Sequence, residues 1–220
     1  FGRSPGVDYR AERIMHTGLT SRFSIRGTPI DLPLPGPGNV DNALAAWAVC
    51  EQFGLTLDDF AKAIRTLSGV AMRAEPLQIG TLTVLNDCYN ASPASMKNAL
   101  AILASLRTDP KTGQNRRTVF ICGHMGELGT ESESLHAQLG IEVARAGIDV
   151  LITVGEATEA TAAAARDAAQ CDLHIVSFDD TASVCDNLES FVTEYDLILV
   201  KGSRAARLET VVQELTKDYG

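Results

Sequence analysis

Leu82-Thr83-Val84-Leu85-Asn86-Asp87-Cys88-Tyr89-Asn90-Ala91-Ser92-Pro93-Ala94-Ser95-Met96 is the stretch on which the fold turns. The apolar run 82–85 reads as a buried strand. Ser92 reads as a helix N-cap with Pro93 at the first helical position, and Met96, Leu100 and Leu103 share one helical face. A polar loop between such a strand and helix is where open α/β sheets hold ligands. Asp87 suits a sugar hydroxyl or a metal-bound water, and unpaired N–H groups at the helix start favour an anion.

The same grammar repeats downstream. Apolar runs at 118–122, 150–154, 173–177 and 197–200 read as strands, each followed by a helical pattern. Thr130 and Glu133 form a capping-box pattern ahead of Leu135, Leu139 and Val143. Val184, Leu188 and Phe191 recur at helical spacing, as do Leu208, Val211, Val212 and Leu215. Short apolar strands alternating with helices predict βαβ units and a mostly parallel, doubly wound, Rossmann-like sheet. About 145 residues suffice to bury roughly two-thirds of their unfolded surface. The loop 108–116 reads as an exposed, mobile connection.

Upstream the pattern differs. Residues 1–35 hold short β-like runs, including 22–25 and 29–32, and 39–53 reads as a helix with Val40, Leu44, Trp47 and Ala48 on one face. Thr56 and Asp59 open a second helix over 57–67. The stretch 69–80 carries Pro76 and breaks the pattern, which places a domain boundary near residue 75. The opening Phe1-Gly2-Arg3-Ser4-Pro5 lacks an initiator Met, as expected of a piece of a longer protein.

Composition narrows the function classes. The 220 residues carry a net charge of −9, which argues against a general nucleic-acid or anionic-membrane surface. No apolar run is long enough to span a bilayer. Cys50, Cys88, Cys122, Cys171 and Cys185 are odd in number and lack Cys-x-x-Cys spacing, so reduced cytosolic thiols are expected rather than a disulfide framework or zinc site. Cys88 sits in the polar loop with no activating base evident.

Three polar loops end parallel strands and are expected along one sheet edge. They are 86–96, Gly123-His124-Met125-Gly126-Glu127-Leu128-Gly129, and Lys201-Gly202-Ser203-Arg204. Lys201 and Arg204 place positive charge where a carboxylate or phosphate is suited. His124 lacks a second ligand at metal spacing and reads as structural. Glu127 is placed to accept backbone N–H groups, and His136 to pack within a helix. A fourth element, Gly36-Pro37-Gly38-Asn39-Val40-Asp41-Asn42, sets Asn39 and Asn42 near one helical face, where amide groups suit an adenine edge. Asn39 is equally a good N-cap. Arg73 reads as a surface charge or a phosphate clamp. No Gly-x-x-x-x-Gly-Lys-Ser/Thr occurs, so a triphosphate cradle is expected elsewhere.

Together these elements resemble the Mur ligases of peptidoglycan synthesis. The family's Asn-Val-x-Asn-Ala-Leu-Ala-Ala stands at 39–46, its Asp-x-Tyr-Asn-Ala-x-Pro-x-Ser-Met at 87–96, its Met-x-Glu-Leu-Gly at 125–129 and its Lys-Gly-Ser-Arg at 201–204. The Tyr-Asn-Ala and Lys-Gly-Ser-Arg elements point to the member that adds D-alanyl-D-alanine to UDP-N-acetylmuramoyl-tripeptide. Gly38, Ser92 and His124 depart from the family's usual His, Asn and Asp.

The resemblance implies a three-domain, ATP-dependent, cytoplasmic enzyme, monomeric, working through an acyl phosphate. Residues 1–75 would be the C-terminal part of its central ATP-binding domain and 76–220 its C-terminal domain. The ATP loop and most Mg2+ ligands would lie upstream, leaving this piece inactive alone and without a catalytic base. The resemblance assigns Asn39 and Asn42 to adenine, Arg73 to the ATP phosphates and Asp87 to the ribose. It sets Tyr89, Asn90, Lys201, Ser203 and Arg204 toward the substrate. The rival expectations are a non-catalytic Rossmann-like binding module and a Mur-type ligase for another amino acid.

Overall fold

The computed structural model describes residues 1–109, 112–170 and 172–220. It divides into two compact units, Phe1–Gly69 and Val70–Gly220.

The first unit pairs a three-stranded antiparallel sheet with two helices. The strands are β1 (Glu12–Thr17), β2 (Thr20–Ile25) and β3 (Thr28–Leu32), in that spatial order. Helices α1 (Pro37–Gln52) and α2 (Leu57–Ile64) supply Val40, Leu44, Trp47, Phe60 and Ile64 to a core shared with Phe23, Ile25, Ile30 and Leu32. Trp47 and Phe60 meet as a tilted ring pair with centroids 5.4 Å apart, a favoured aromatic arrangement. Thr56 caps α2 by accepting the Asp59 N–H, as its sequence pattern predicts. Asn39 is not the cap of α1. The helix starts at Pro37 with Gly36 as N-cap, and the Asn39 side chain instead donates to the Pro35 carbonyl at 2.7 Å.

The second unit is a six-stranded α/β sheet. Its strands are β4 (Glu75–Ile79), β5 (Leu82–Asp87), β6 (Thr118–Gly123), β7 (Val150–Val154), β8 (His174–Phe178) and β9 (Leu197–Lys201). The spatial order is β4-β5-β9-β6-β7-β8, with β4 antiparallel to β5 and every other pairing parallel. Both faces are covered, which is why the strands read as unbroken apolar runs. Val119 and Ile121 join one core with Val211, Val212 and Leu215. Phe120 and Cys122 join the other, with Met96, Leu100, Leu103 and Leu139. The helices are α3 (Pro93–Leu106), α4 (Ser132–Arg145), α5 (Glu159–Ala168), α6 (Thr181–Cys185) and α7 (Glu209–Tyr219).

Three local expectations need correction. Pro76 does not end regular structure; it lies in edge strand β4, where the missing N–H is tolerated. Thr130 and Glu133 form no capping box. A short 3₁₀ turn, Gly129–Glu131, leads into α4 with no side-chain cap. The 184–191 periodicity is not one helix, since α6 stops at Cys185 and a 3₁₀ turn, Leu188–Ser190, follows. The connection after α3 is exposed at Thr108 and over 112–115, as its sequence predicts, and carries a Thr108–Asn115 bridge, with Arg116 bonded to Thr83 and the Leu106 carbonyl. Pro110, Lys111 and Cys171 lie outside the described residues.

Candidate functional site

Parallel pairing alone brings the chemistry together. Strands β5, β9 and β6 are neighbours, and register sets Asp87 opposite Lys201 and Lys201 opposite Cys122. Beyond those strand ends Gly123 and Gly202 approach so closely that a Cβ on Gly202 would lie 3.0 Å from the Gly123 Cα. No side chain fits between the two turns. The Ser203 N–H donates to the His124 carbonyl at 2.8 Å, and the Ser203 hydroxyl lies 2.9 Å from His124 Nε2. His124 is therefore a loop-to-loop contact. Burial, and next the nearby His136, lower its proton affinity.

Asp87 is the hub. Its Oδ2 lies 2.7 Å from the Lys201 ammonium, and its Oδ1 accepts the Ala74 N–H at 3.1 Å. Burial pushes the carboxyl above its ordinary value, while Lys201, the Ala74 N–H and Arg73 oppose that shift. Lys201 also donates to the Asn90 carbonyl at 2.9 Å. Its side chain is only 2% exposed, and both of these bonds are to protein.

Arg73 stands beside this hub. Its guanidinium carbon lies 4.2 Å from the centroid of the Tyr89 ring, a cation–π contact. Its neighbours Met72 (φ 60°) and Ala74 (φ 47°) both adopt left-handed backbone conformations, which non-glycine residues hold only where surroundings enforce them. The enforcement is visible. Met72 accepts from the Tyr89 N–H and donates to Glu75 Oε2, which also accepts from Asn86. Arg204, at the next rim loop, pairs with Glu209 at 3.4 Å and approaches the Met72 sulfur at 3.9 Å.

The N-terminus of α3 offers less to an anion than its sequence suggests. Pro93 has no N–H, and Ser92 and Ser95 form a complete reciprocal capping box. Cys88 is not a nucleophile: burial pushes its thiol up to about 12, and it donates to the Val200 carbonyl. His136 is fully buried. Its Nε2 accepts the Met125 N–H at 3.0 Å, so Nδ1 carries the proton toward the Ser132 carbonyl at 2.7 Å. It pins the Gly-rich loop from beneath. Glu127 is exposed, with φ 61°, and no described group donates to its carboxylate.

The structure thus gathers Arg73, Asp87, Tyr89, Asn90, Lys201, Ser203 and Arg204 on one edge of the second unit. Asn39 and Asn42 lie on α1 of the first unit, Asn39 half-buried and Asn42 exposed. Sequence reasoning missed Glu75 and the strained turn it holds. Their role depends on pairing across β4 and β5, which leaves no local motif. Among the described residues no three His, Cys, Asp or Glu side chains are grouped to hold a metal.

A family model described as "Mur ligase, glutamate ligase domain" matches residues 72–204. The chain belongs to the Mur ligase family. The match opens at the strained Met72 turn and closes on Arg204, so it encloses the whole rim cluster. Two relatives are UDP-N-acetylmuramoyl-tripeptide–D-alanyl-D-alanine ligases. That of Escherichia coli K12 is 34% identical over 96% of this chain and 45% of its own length, and that of Bacillus subtilis 168 is 30% identical over 98% and 46%. The chain therefore spans about half the length of these Mur ligases. A crystal structure of MurF from Acinetobacter baumannii superposes with a TM-score of 0.82 at 28% identity, covering 98% of this chain and 46% of that one. MurF from Thermotoga maritima, solved with ADP, shares the fold with a TM-score of 0.76 at 21% identity, over 98% of this chain and 47% of its own.

Proposed function

We propose that this chain is the C-terminal portion of an ATP-dependent ligase that joins D-alanyl-D-alanine to UDP-N-acetylmuramoyl-tripeptide in peptidoglycan synthesis. The observation that carries the reading is the bonded cluster of Arg73, Asp87 and Tyr89 at the carboxyl edge of the sheet, within the stretch matched to Mur ligases. The names of the E. coli and B. subtilis relatives supply the reaction.

In this reading residues 1–75 close a central ATP-binding domain and 76–220 form the C-terminal domain. Asn39 and Asn42 serve the adenine, Asp87 the ribose and Arg73 the phosphates. Tyr89, Asn90, Ser203 and Arg204 serve the substrate side. A peptide carboxylate oxygen attacks the γ-phosphorus and ADP departs. The dipeptide amine then attacks the acyl carbon, phosphate leaves, and the nitrogen loses a proton. Positioning and charge stabilisation supply the rate; Arg73 is the cation this reading sets at the phosphates, and none of the residues assigned here is the base. The described residues contain no metal cluster, so no step is assigned to Mg2+. The working form is a cytoplasmic monomer; no described helix is long and apolar enough to cross a membrane.

The test is ADP release by the intact ligase. It should require both UDP-N-acetylmuramoyl-tripeptide and D-alanyl-D-alanine, and this chain alone should release none. Asp87→Asn should raise the KM for ATP. Turnover with glutamate or a diamino acid in place of the dipeptide would assign a different Mur-type ligase. Turnover by the isolated chain would overturn the division of labour.

A further inference from the structure

One ammonium closes a clip around the most exposed aromatic residue of the rim. Lys201 has three N–H donors. One meets the Asp87 carboxylate and another the Asn90 carbonyl, at 2.7 and 2.9 Å. The segment 87–90 is held at both ends by this one buried group, with Tyr89 at its crown, 49% exposed. The Tyr89 ring lies against Arg73, and the Tyr89 N–H bonds the Met72 carbonyl. The other oxygen of Asp87 takes the Ala74 N–H. Both bonds therefore reach the left-handed residues that flank Arg73. A buried ion pair is weak evidence for stability in itself, because desolvation offsets its attraction. What this pair does is fix geometry.

We propose that Lys201 is a positioning residue that never touches substrate: it clips the 87–90 loop shut and so aims Asp87 directly, and Arg73 through Tyr89 and Ala74, at the nucleotide. The proposal rests on reading the chain as part of a ligase, and it replaces the direct dipeptide contact that the Lys-Gly-Ser-Arg resemblance implies. Lysine suits the task because a compact ammonium bonds a carboxylate and a carbonyl at once from the end of a strand.

The test is a double-substitution cycle in the intact ligase, with Lys201→Met, Asp87→Asn and the pair together, read separately as KM for ATP and KM for D-alanyl-D-alanine. Lys201→Met should raise the ATP KM by about tenfold, the size of one lost charged hydrogen bond, and leave the dipeptide KM unchanged. In the Asp87→Asn background it should add little, because residues in one network are coupled. A raised dipeptide KM with an unchanged ATP KM, or two effects that simply multiply, overturns the proposal.

A second measurement needs no turnover. In the 220-residue chain, Lys201→Met should speed hydrogen exchange at the Ala74 and Tyr89 amides relative to wild type, and Lys201→Arg, which keeps the cation, should restore part of the protection. Unchanged exchange at both amides sinks the clip. An intact wild-type protein that makes no product sinks the ligase reading instead, and the exchange measurement still decides the clip.

Discussion

Gly140→Ala should destabilise the second unit even though alanine is the better helix former. Gly140 lies inside α4, where Gly costs about 1 kcal/mol relative to Ala on propensity alone. A Cβ there would lie 2.3 Å from the Thr161 carbonyl oxygen, 2.8 Å from the Ala165 nitrogen and 3.0 Å from the Ala164 Cβ. Two of the three obstacles are backbone of α5, so no rotamer change relieves them. Ordinary contact begins near 3.4 Å, so α5 must retreat by about 1 Å. That retreat stretches the bond from the Thr161 hydroxyl to the His136 carbonyl, now 2.9 Å, and loosens buried Ala162 and Ala165. Overpacking of this kind costs about 1–3 kcal/mol, and a backbone obstacle belongs at the upper end. Subtracting the propensity gain leaves a net loss of about 2 kcal/mol, or a melting point roughly 4–8 °C lower for a unit of this size. The assay is thermal and urea unfolding followed by far-ultraviolet circular dichroism. Fluorescence of Trp47, the single tryptophan, separates the first unit's transition. A variant that melts at or above wild type would show that α4 and α5 do not pack backbone to backbone.

Other outcomes follow from local chemistry. Asp149 is half-buried, which alone would raise its carboxyl. The Thr118 N–H and hydroxyl and the Arg107 guanidinium outweigh that and hold it below the ordinary 3.8. Its contribution to stability is therefore complete above pH 3.8 and is lost as pH falls through the lower folded value. In Asp149→Asn, acid unfolding curves should be flatter over that window; an unchanged acid slope counts against the network. Cys88 and Cys122, both pushed up to about 12 by burial, should resist alkylation at pH 8 in the folded chain, whereas half-buried Cys50 and Cys185 should label before them. Peptide mapping by mass spectrometry decides this, and early labelling of Cys122 would refute its burial. Ser92→Ala should cost about 1 kcal/mol in urea unfolding, because it removes the acceptor for the Ser95 N–H. No loss would mean that the cap is idle.

What the sequence revealed depended on the range of the interaction. The parallel strands were legible because burial on both faces writes an apolar run. The start of 150–154 was legible to the residue, and the starts of the 118 and 197 strands were too. Ser92 was legible because its cap is made within three residues. Strand β4 was hidden because Pro76 is a breaker everywhere except at an edge, and edges are defined by a partner far away. The α4 start was misread because Thr130 entered a 3₁₀ turn before it could cap. At the site, strand ends could be enumerated, which brought Asp87 and Lys201 to one rim. That Lys201 turns inward, and that Glu75 holds the Met72 turn, are facts of pairing that neighbouring residues do not encode.

The position of β9 has a consequence for how this protein is made. The strand comes last in sequence among the six of its sheet, yet it fills the slot between β5 and β6. Until it arrives, both neighbours present bare backbone along one side, the kind of exposed edge that invites aggregation. A message cut short before residue 197 therefore yields a product with an open seam rather than a slightly shorter protein. The two halves of the Asp87–Lys201 pair meet only when that seam closes, so the rim cannot assemble before residue 201 has emerged.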